Sequence, residues 1–407
     1  MYFLFAWRYF KAKKSTNAIN IIAWISIVAL TIGTTVLILV LSVFNGFEGL
    51  VKSLYSSFYP DLKILPASGK VIHIGKEQLK KIKAIKEVRN FSLVTEEKAL
   101  LKNGEYQSVV YLKGVDENYR YVAGVADHII KGNFELGNRE SPSLVLGSGI
   151  ENAVAVQTDR NIFPLIVYLP RKGATNLSDP MNAISSDTIT TTGTFQIQQD
   201  FDNKYAITNL AFVKHMLGMA PDEFSGVEIA LYDPETADAV KDIVKNIVGD
   251  NDFVQTRFEQ NQSLYSVMRA EKWVIYAVLS LILIVAAFNM IGALTMLVLE
   301  KKKDISVLHA LGGNRNFIQK IFLSEGMLLA IIGAGAGMLL AIIIAWLQVN
   351  YKLIPLQGGS FLIDYFPVIL QWKDFLLVGI TVFIIALLAA WIPSRKAANQ
   401  HFSLRTE

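Results

Sequence analysis

Few residues in this chain have the type and spacing to do chemistry. There is no cysteine, which excludes a disulfide framework, a thiolate zinc site and a thiol nucleophile. The five histidines (His73, His128, His215, His309 and His401) are scattered, and no His-x-x-x-His pair offers a zinc site. Gly69-Lys70 and Gly75-Lys76 lack the upstream glycine and the following hydroxyl of a phosphate-cradling loop, so the chain has no P-loop for ATP. Gly147-Ser148-Gly149 fits neither a nucleophile elbow nor a dinucleotide fingerprint and reads as a strand-to-helix turn. No acid–base constellation is readable, so the chain is not expected to be an enzyme or to hold a metal or cofactor of its own. A net charge of +4 over 407 residues is too weak to argue for nucleic acid.

What the chain does carry is apolar length. It is 52% hydrophobic and only 18% charged, with a mean hydropathy of +0.37. A spanning helix needs about 20 mostly apolar residues. Ile19–Phe44, Trp273–Leu299 and Phe375–Ile392 are uncharged, and Phe322–Leu347 carries one charge, Glu325, near its start. Basic residues gather before the first run (Arg8, Lys11, Lys13, Lys14), between the second and third (Lys301, Lys302, Lys303, Arg315, Lys320) and after the fourth (Arg395, Lys396, Arg405). The positive-inside bias then predicts both termini and the middle connection in the cytoplasm. Glu325 lies near the cytoplasmic end of its run, where solvent can reach it. Residues 46–270 hold 24 Lys/Arg against 28 Asp/Glu, in keeping with an outer location. The first run reads as an uncleaved signal anchor.

The expected architecture is therefore membrane α-helical, with four transmembrane helices and a large α+β periplasmic domain inserted between helices 1 and 2. The segments are 1–18 (cytoplasmic), 19–44 (first span), 45–271 (periplasmic domain), 272–299 (second span), 300–321 (cytoplasmic connection), 322–347 (third span), 348–374 (periplasmic loop), 375–392 (fourth span) and 393–407 (cytoplasmic tail). Within the domain, period-two patterns predict strands at 61–66, 71–74, 107–115, 143–147, 165–169, 188–197 and 227–232. Lys76–Lys86 reads as a helix. Another starts at Asp233-Pro234-Glu235, with Val240, Ile243, Val244, Ile247 and Val248 on one face. Two subdomains are possible within that length. Leu169–Asp187, rich in turn formers, suits a long solvated loop and a projecting arm equally.

The connection Glu300-Lys-Lys-Lys-Asp-Ile-Ser-Val-Leu-His-Ala-Leu-Gly-Gly313 puts Ile305, Leu308 and Leu311 on an apolar stripe, ended by Gly312-Gly313. This pattern, Phe322-Leu-Ser-Glu-Gly326 after it, and the tail Trp391-Ile-Pro-Ser-Arg-Lys-Ala-Ala398 resemble the FtsX/MacB-type ABC transporter permeases. Phe5-Ala-Trp-Arg-Tyr-Phe-Lys-Ala-Lys-Lys14 and Val40-Leu-Ser-Val-Phe-Asn-Gly-Phe-Glu48 are similar to the lipoprotein-releasing LolC/LolE type, with Asn45-Gly46-Phe47 the most specific part.

The resemblance implies a permease subunit in the inner membrane of a Gram-negative bacterium. It would pair with a second permease copy or paralogue and with a cytoplasmic ABC ATPase dimer, which holds the ATP and Mg. Lipoproteins would leave the membrane for a periplasmic chaperone. Lys303, Ile305, Leu308, Leu311 and Gly312 would couple to the ATPase. Pro170, Arg171, Lys172, Pro180 and Met181 would lie in the chaperone hook, although only Arg171 and Lys172 are basic there, against Asp179 and Asp187. Val40, Val43, Phe44 and Phe47 would line the lipoprotein path on one side, and Val274, Val278 and Ile282 on the other. The alternative is a mechanotransmission permease of the same superfamily, serving cell-wall hydrolases or efflux without lipoprotein cargo. A membrane-anchored sensor would need an output partner, since the cytoplasmic parts are short. Gly333-Ala-Gly-Ala-Gly337 offers a surface for close helix approach, within the chain or at a dimer contact.

Overall fold

The computed structural model describes residues 17–158, 164–171, 183–356 and 365–399, with side chains from residue 21. In chain order the principal elements begin with α1 (Asn17–Phe58), β1 (Leu62–Pro66), β2 (Ile72–His73), α2 (Lys76–Lys83), β3 (Val88–Asn103) and β4 (Tyr106–Val115). Next come β5 (Ile129–Gly132), β6 (Ser143–Gly147), α3 (Ser148–Ala153), β7 (Leu165–Pro170), β8 (Ile184–Phe195) and β9 (Tyr205–Asn209). After these are α4 (Leu210–Leu217), β10 (Glu223–Phe224), β11 (Gly226–Leu231), α5 (Ala237–Val248) and β12 (Asp252–Thr256). The chain returns to long helices with α6 (Gln262–Glu300), α7 (Lys302–Ala310), α8 (Arg315–Tyr351) and α9 (Trp372–Ala398). It divides into two compact units. One takes the helices from both ends of the chain, up to Leu50 and from Ser266; the other is built on Val51–Tyr265.

In the helical unit, α1, α6, α8 and α9 are each long and apolar enough to cross a membrane. Every expected span falls inside one of them, but the helices run further. The first continues past Phe44 to Phe58, because Leu54, Tyr55 and Phe58 give its last turns a buried face. Small residues set the packing. A Cβ on Gly33 would lie 2.8 Å from Leu283, one on Gly326 2.5 Å from Ala390, and one on Gly337 2.6 Å from the Thr31 carbonyl oxygen. The Gly333–Gly337 surface therefore packs within the chain, on α1. Thr31 Oγ1 donates to Gly333 O at 3.1 Å, and Thr35 Oγ1 to Gly337 O at 3.0 Å. Glu325 is 2% exposed, so solvent does not reach it there. It stands beside Gly326, whose lack of a side chain brings α8 against α9 and Leu294 of α6.

The second unit is α+β and has two cores. Six strands close on themselves in the order β3-β4-β9-β6-β8-β7, with β7 pairing back onto β3 through Leu100↔Tyr168, Leu101↔Val167 and Lys102↔Ile166. Closure leaves these six strands without a free edge. Alternate residues of these strands fill the interior: Ala99 and Leu101, Val110 and Leu112, Leu144 and Leu146, Leu165, Val167 and Leu169 are all buried. Gly147 ends β6 where a Cβ would sit 2.2 Å from Asp202 O, so Gly147-Ser148-Gly149 is the strand-to-helix turn its pattern suggested.

The other core lies on β12-β1-β11-β3, an open extension of the same sheet covered by α2 and α5. Asp233 caps a short turn through its carboxylate, and α5 follows from Ala237. Of the expected apolar face, Val240, Val244 and Val248 are buried while Ile243 is 46% exposed, because only the i, i+4, i+8 row meets the sheet. β3 serves both cores, pairing with β11 through Val88–Val94 and with β4 through Val94–Asn103.

Near the middle of the sheet, Lys113 and Glu228 are paired at 2.8 Å with both side chains fully buried, and Tyr119 Oη and the Phe58 ring close over the ammonium. Burial alone would push the Glu228 carboxyl up, but the Lys113 and Lys63 ammoniums outweigh it and hold it below the usual carboxylate range. Removing Lys113 leaves the buried Glu228 with only the more distant Lys63, at 3.4 Å, as its cation. Lys113→Met should therefore destabilise this unit by about 3–5 kcal/mol, and Lys113→Met with Glu228→Leu by much less. Thermal unfolding of the purified chain in detergent checks both.

Candidate functional site

The connection between α6 and α8 folds as α7, tied at its start by Lys301–Asp304 at 3.1 Å. Gly312 takes a left-handed φ of +88° just after the helix, and Asn314 caps α8 by accepting from Phe317 N–H at 2.8 Å. The expected stripe does not hold together. Ile305 is 2% exposed and belongs to the core of the helical unit; Leu308 is half-buried; Leu311 is 79% exposed. Two three-residue steps turn Leu311 about 120° around the helix axis from Ile305, away from the face that Ile305 occupies. Val307, 58% exposed and one turn earlier, is the residue that shares the open side with Leu311. Sequence reasoning missed it because it lies between the stripe positions. Lys303 and Gly312 are exposed on the same segment.

At the end of α1 that leads toward Phe58, the Asn45-Gly46-Phe47 motif is built into the helical unit. Asn45 Nδ2 donates to Asp374 Oδ2 at 2.5 Å, and Lys272 Nζ donates to Asn45 Oδ1 at 2.7 Å. Gly46 admits the backbone of Pro367 and Val368, since a Cβ there would lie 2.2 Å from Pro367 O. Phe47 meets Phe366 edge-on, with ring centroids 5.8 Å apart. Val40, Val43, Phe44 and Phe47 are half-buried, whereas Val274, Val278 and Ile282 are 62%, 54% and 49% exposed. The α6 residues form an open apolar face, opposite the buried Leu283, Ala286, Ala287 and Met290. Lys272 and Asp374 were not singled out as site residues from the sequence, since a charge at the border of a span reads as an ordinary flank.

The arm between Leu169 and Asp187 is not a loop throughout. β7 and β8 form an antiparallel hairpin from Leu165↔Ile189 to Pro170↔Ile184, and Arg171 N–H donates to Ala183 O at 2.9 Å. Pro170 and Arg171 are exposed at its end. Lys172, Pro180 and Met181 lie outside the described residues. Among the described residues no cluster of His, Asp or Glu is arranged to hold a metal ion.

The FtsX-like permease C-terminal domain matches residues 276–402. The chain is 28% identical to the lipoprotein-releasing system transmembrane protein LolE of Haemophilus influenzae, over 98% of this chain and 97% of that one. It is 26% identical to LolC of Neisseria meningitidis serogroup B, over 98% of each chain. Among solved structures, the periplasmic region of MacB from Actinobacillus actinomycetemcomitans aligns with 53% of this chain and 98% of its own, at 12% identity and a TM-score of 0.36. The chain is accordingly similar along nearly its whole length to the lipoprotein-releasing transmembrane proteins LolC and LolE, and its last third matches the FtsX-like permease C-terminal domain.

Proposed function

We propose that this chain is the membrane-embedded permease subunit of an ABC transporter that releases lipoproteins from the inner membrane to a periplasmic chaperone. The observation that carries the reading is similarity to LolE and LolC over nearly the full length of both partners. Four helices suited to crossing the membrane and the absence of a P-loop agree with a permease driven by a separate ATPase. In this reading both termini and α7 are cytoplasmic, and the β-rich unit is periplasmic.

The physical demand is large. Burying one lipid CH₂ contributes roughly 0.8 kcal/mol, so three chains of about fifteen carbons would cost on the order of 35 kcal/mol to expose to water. Release must keep the chains against apolar surface and draw on an external energy source. Val274, Val278 and Ile282 offer such a surface on α6, with Val40, Val43, Phe44 and Phe47 beside the motif on α1. A photo-crosslinker at Val274 or Val278 should capture lipoprotein in the working complex and do so less after ATP addition. Failure at every position on this face would remove the proposed path. Val307 and Leu311 on α7 would seat in the ATPase, and the β7–β8 hairpin would carry the chaperone contact.

The test of the function is depletion of the chain in its own host, with subsequent separation of inner and outer membranes. Lipoproteins retained in the inner membrane, with other envelope proteins sorted normally, would support release. Normal lipoprotein sorting with a wall, septation or drug-sensitivity defect would replace it with a mechanotransmission role.

A further inference from the structure

Three polar side chains from three different helices meet in the helical unit, two of them with almost no exposure to solvent and the third, Lys272, with its side chain 28% exposed. Asn45 on α1 is 2% exposed and Asp374, in the first turn of α9, is 4% exposed. Lys272, early in α6, donates to Asn45 Oδ1 at 2.7 Å and stands 3.6 Å from Asp374 Oδ1. Asn45 Nδ2 in turn donates to Asp374 Oδ2 at 2.5 Å. The amide thus accepts from the cation and donates to the anion, and of the common side chains only an amide of this length does both here. An aspartate in its place would set two carboxylates against each other; a leucine would bond neither partner.

The node also anchors the segment that leads into α9. Asn45 Nδ2 reaches Ile369 O at 3.4 Å, and Ile369 N–H donates to Ser42 O at 3.0 Å, so that segment is laced onto α1. Gly46 permits the close approach, and Phe47 is left edge-on to Phe366. Packing alone needs no charge at this point, since an apolar trio avoids the desolvation that the buried Asp374 carboxylate incurs. A charged node supplies direction and register instead.

We propose that Lys272 and Asp374, bridged by Asn45, are positioning residues for lipoprotein release: they set the Phe47–Phe366 contact and with it the shape of the lipid path beside Val43 and Phe44. This rests on the release reading above.

The chain has no cysteine, so a Phe47→Cys, Phe366→Cys pair reports the proximity of these two positions without background. The pair is placed in the full complex with its ATPase in lipid nanodiscs, and disulfide formation is timed. In that background Lys272→Ala and Asp374→Ala should each slow disulfide formation by about tenfold, and Asn45→Asp should do the same. Without the cysteines, the same variants should release about tenfold less lipoprotein per ATP hydrolysed. The exchange Lys272→Asp with Asp374→Lys, and the conservative Lys272→Arg, should recover most of both, which a role in general packing would not give. Unchanged disulfide timing in the single variants overturns the proposal. So does an exchange variant that assembles and hydrolyses ATP but recovers neither readout. If disulfide timing responds as expected while the unmodified complex releases no lipoprotein, the node stands and the release reading fails.

Discussion

Leu311→Asp should lower ATP-driven release by about 100-fold while leaving the chain inserted and folded. Leu311 is 79% exposed and Val307 58% exposed, so neither holds the helical unit together. They are apolar and one helical turn apart, Val307 on a short helix and Leu311 capping its end, and the helix's remaining open positions include Lys302 and Lys303. Seating a leucine in a partner contributes about 1.5–3 kcal/mol, and a charge forced into the same contact adds its own desolvation. The sum is of the order that a hundredfold loss requires. Binding of the purified ATPase to the permease, and lipoprotein released per ATP hydrolysed, are the two measurements. Ile305→Asp is the contrast. Ile305 is buried in the core of the helical unit, so that variant should lower protein yield rather than coupling. Wild-type release by Leu311→Asp would remove α7 as the coupling element.

Gly337→Leu should deplete the protein from the membrane about tenfold, the largest effect expected of any single change within the spans. Even the first carbon of a side chain there would stand 2.6 Å from Thr31 O and 2.8 Å from Thr34 Cβ. Moving α8 off α1 to make room would break the Thr35–Gly337 and Thr31–Gly333 hydrogen bonds. Such bonds average about 0.6 kcal/mol in a membrane, and overpacking costs typically about 1–3 kcal/mol more. The control lies two residues away: nothing approaches within 4 Å of a Cβ on Gly335, so Gly335→Leu should accumulate normally. Immunoblotting of membrane fractions and thermal stability in detergent would decide. Equal accumulation of both variants would contradict the packing described.

The spans were legible because membrane length is written as uninterrupted apolar runs, a signal that needs no partner to be read. A strand buried on one face, such as β7, was legible for a similar reason, since alternation is local. β3 was not. Its Thr95-Glu-Glu-Lys98 stretch breaks the apolar pattern, and those charges make sense only beside Lys63 and Lys70, which other parts of the fold bring to 3.9 Å and 2.8 Å. The apolar stripe on α7 misled because repeated three-residue steps drift about 60° each around a helix of 3.6 residues per turn. The polar node was invisible for a deeper reason. Lys272 and Asp374 lie 227 and 329 residues from the asparagine they share, and each of the three alone looks like the ordinary border of a span.

The Thr35 hydroxyl bears on how the chain is made. Its contact on α8, Gly337, is 302 residues further along, so α1 enters the bilayer long before that surface is synthesised. A hydroxyl waiting in hydrocarbon needs a partner. Thr35 Oγ1 also lies 2.8 Å from the Thr31 carbonyl of its own helix, one turn back. The nascent helix can satisfy itself there, and α8 can later dock without passing through a state in which the hydroxyl is unbonded. Thr35→Val would keep the shape and lose this temporary shelter together with the final bond, whereas Thr35→Ser keeps both. Order of synthesis, as well as final packing, favours a β-hydroxyl at this position.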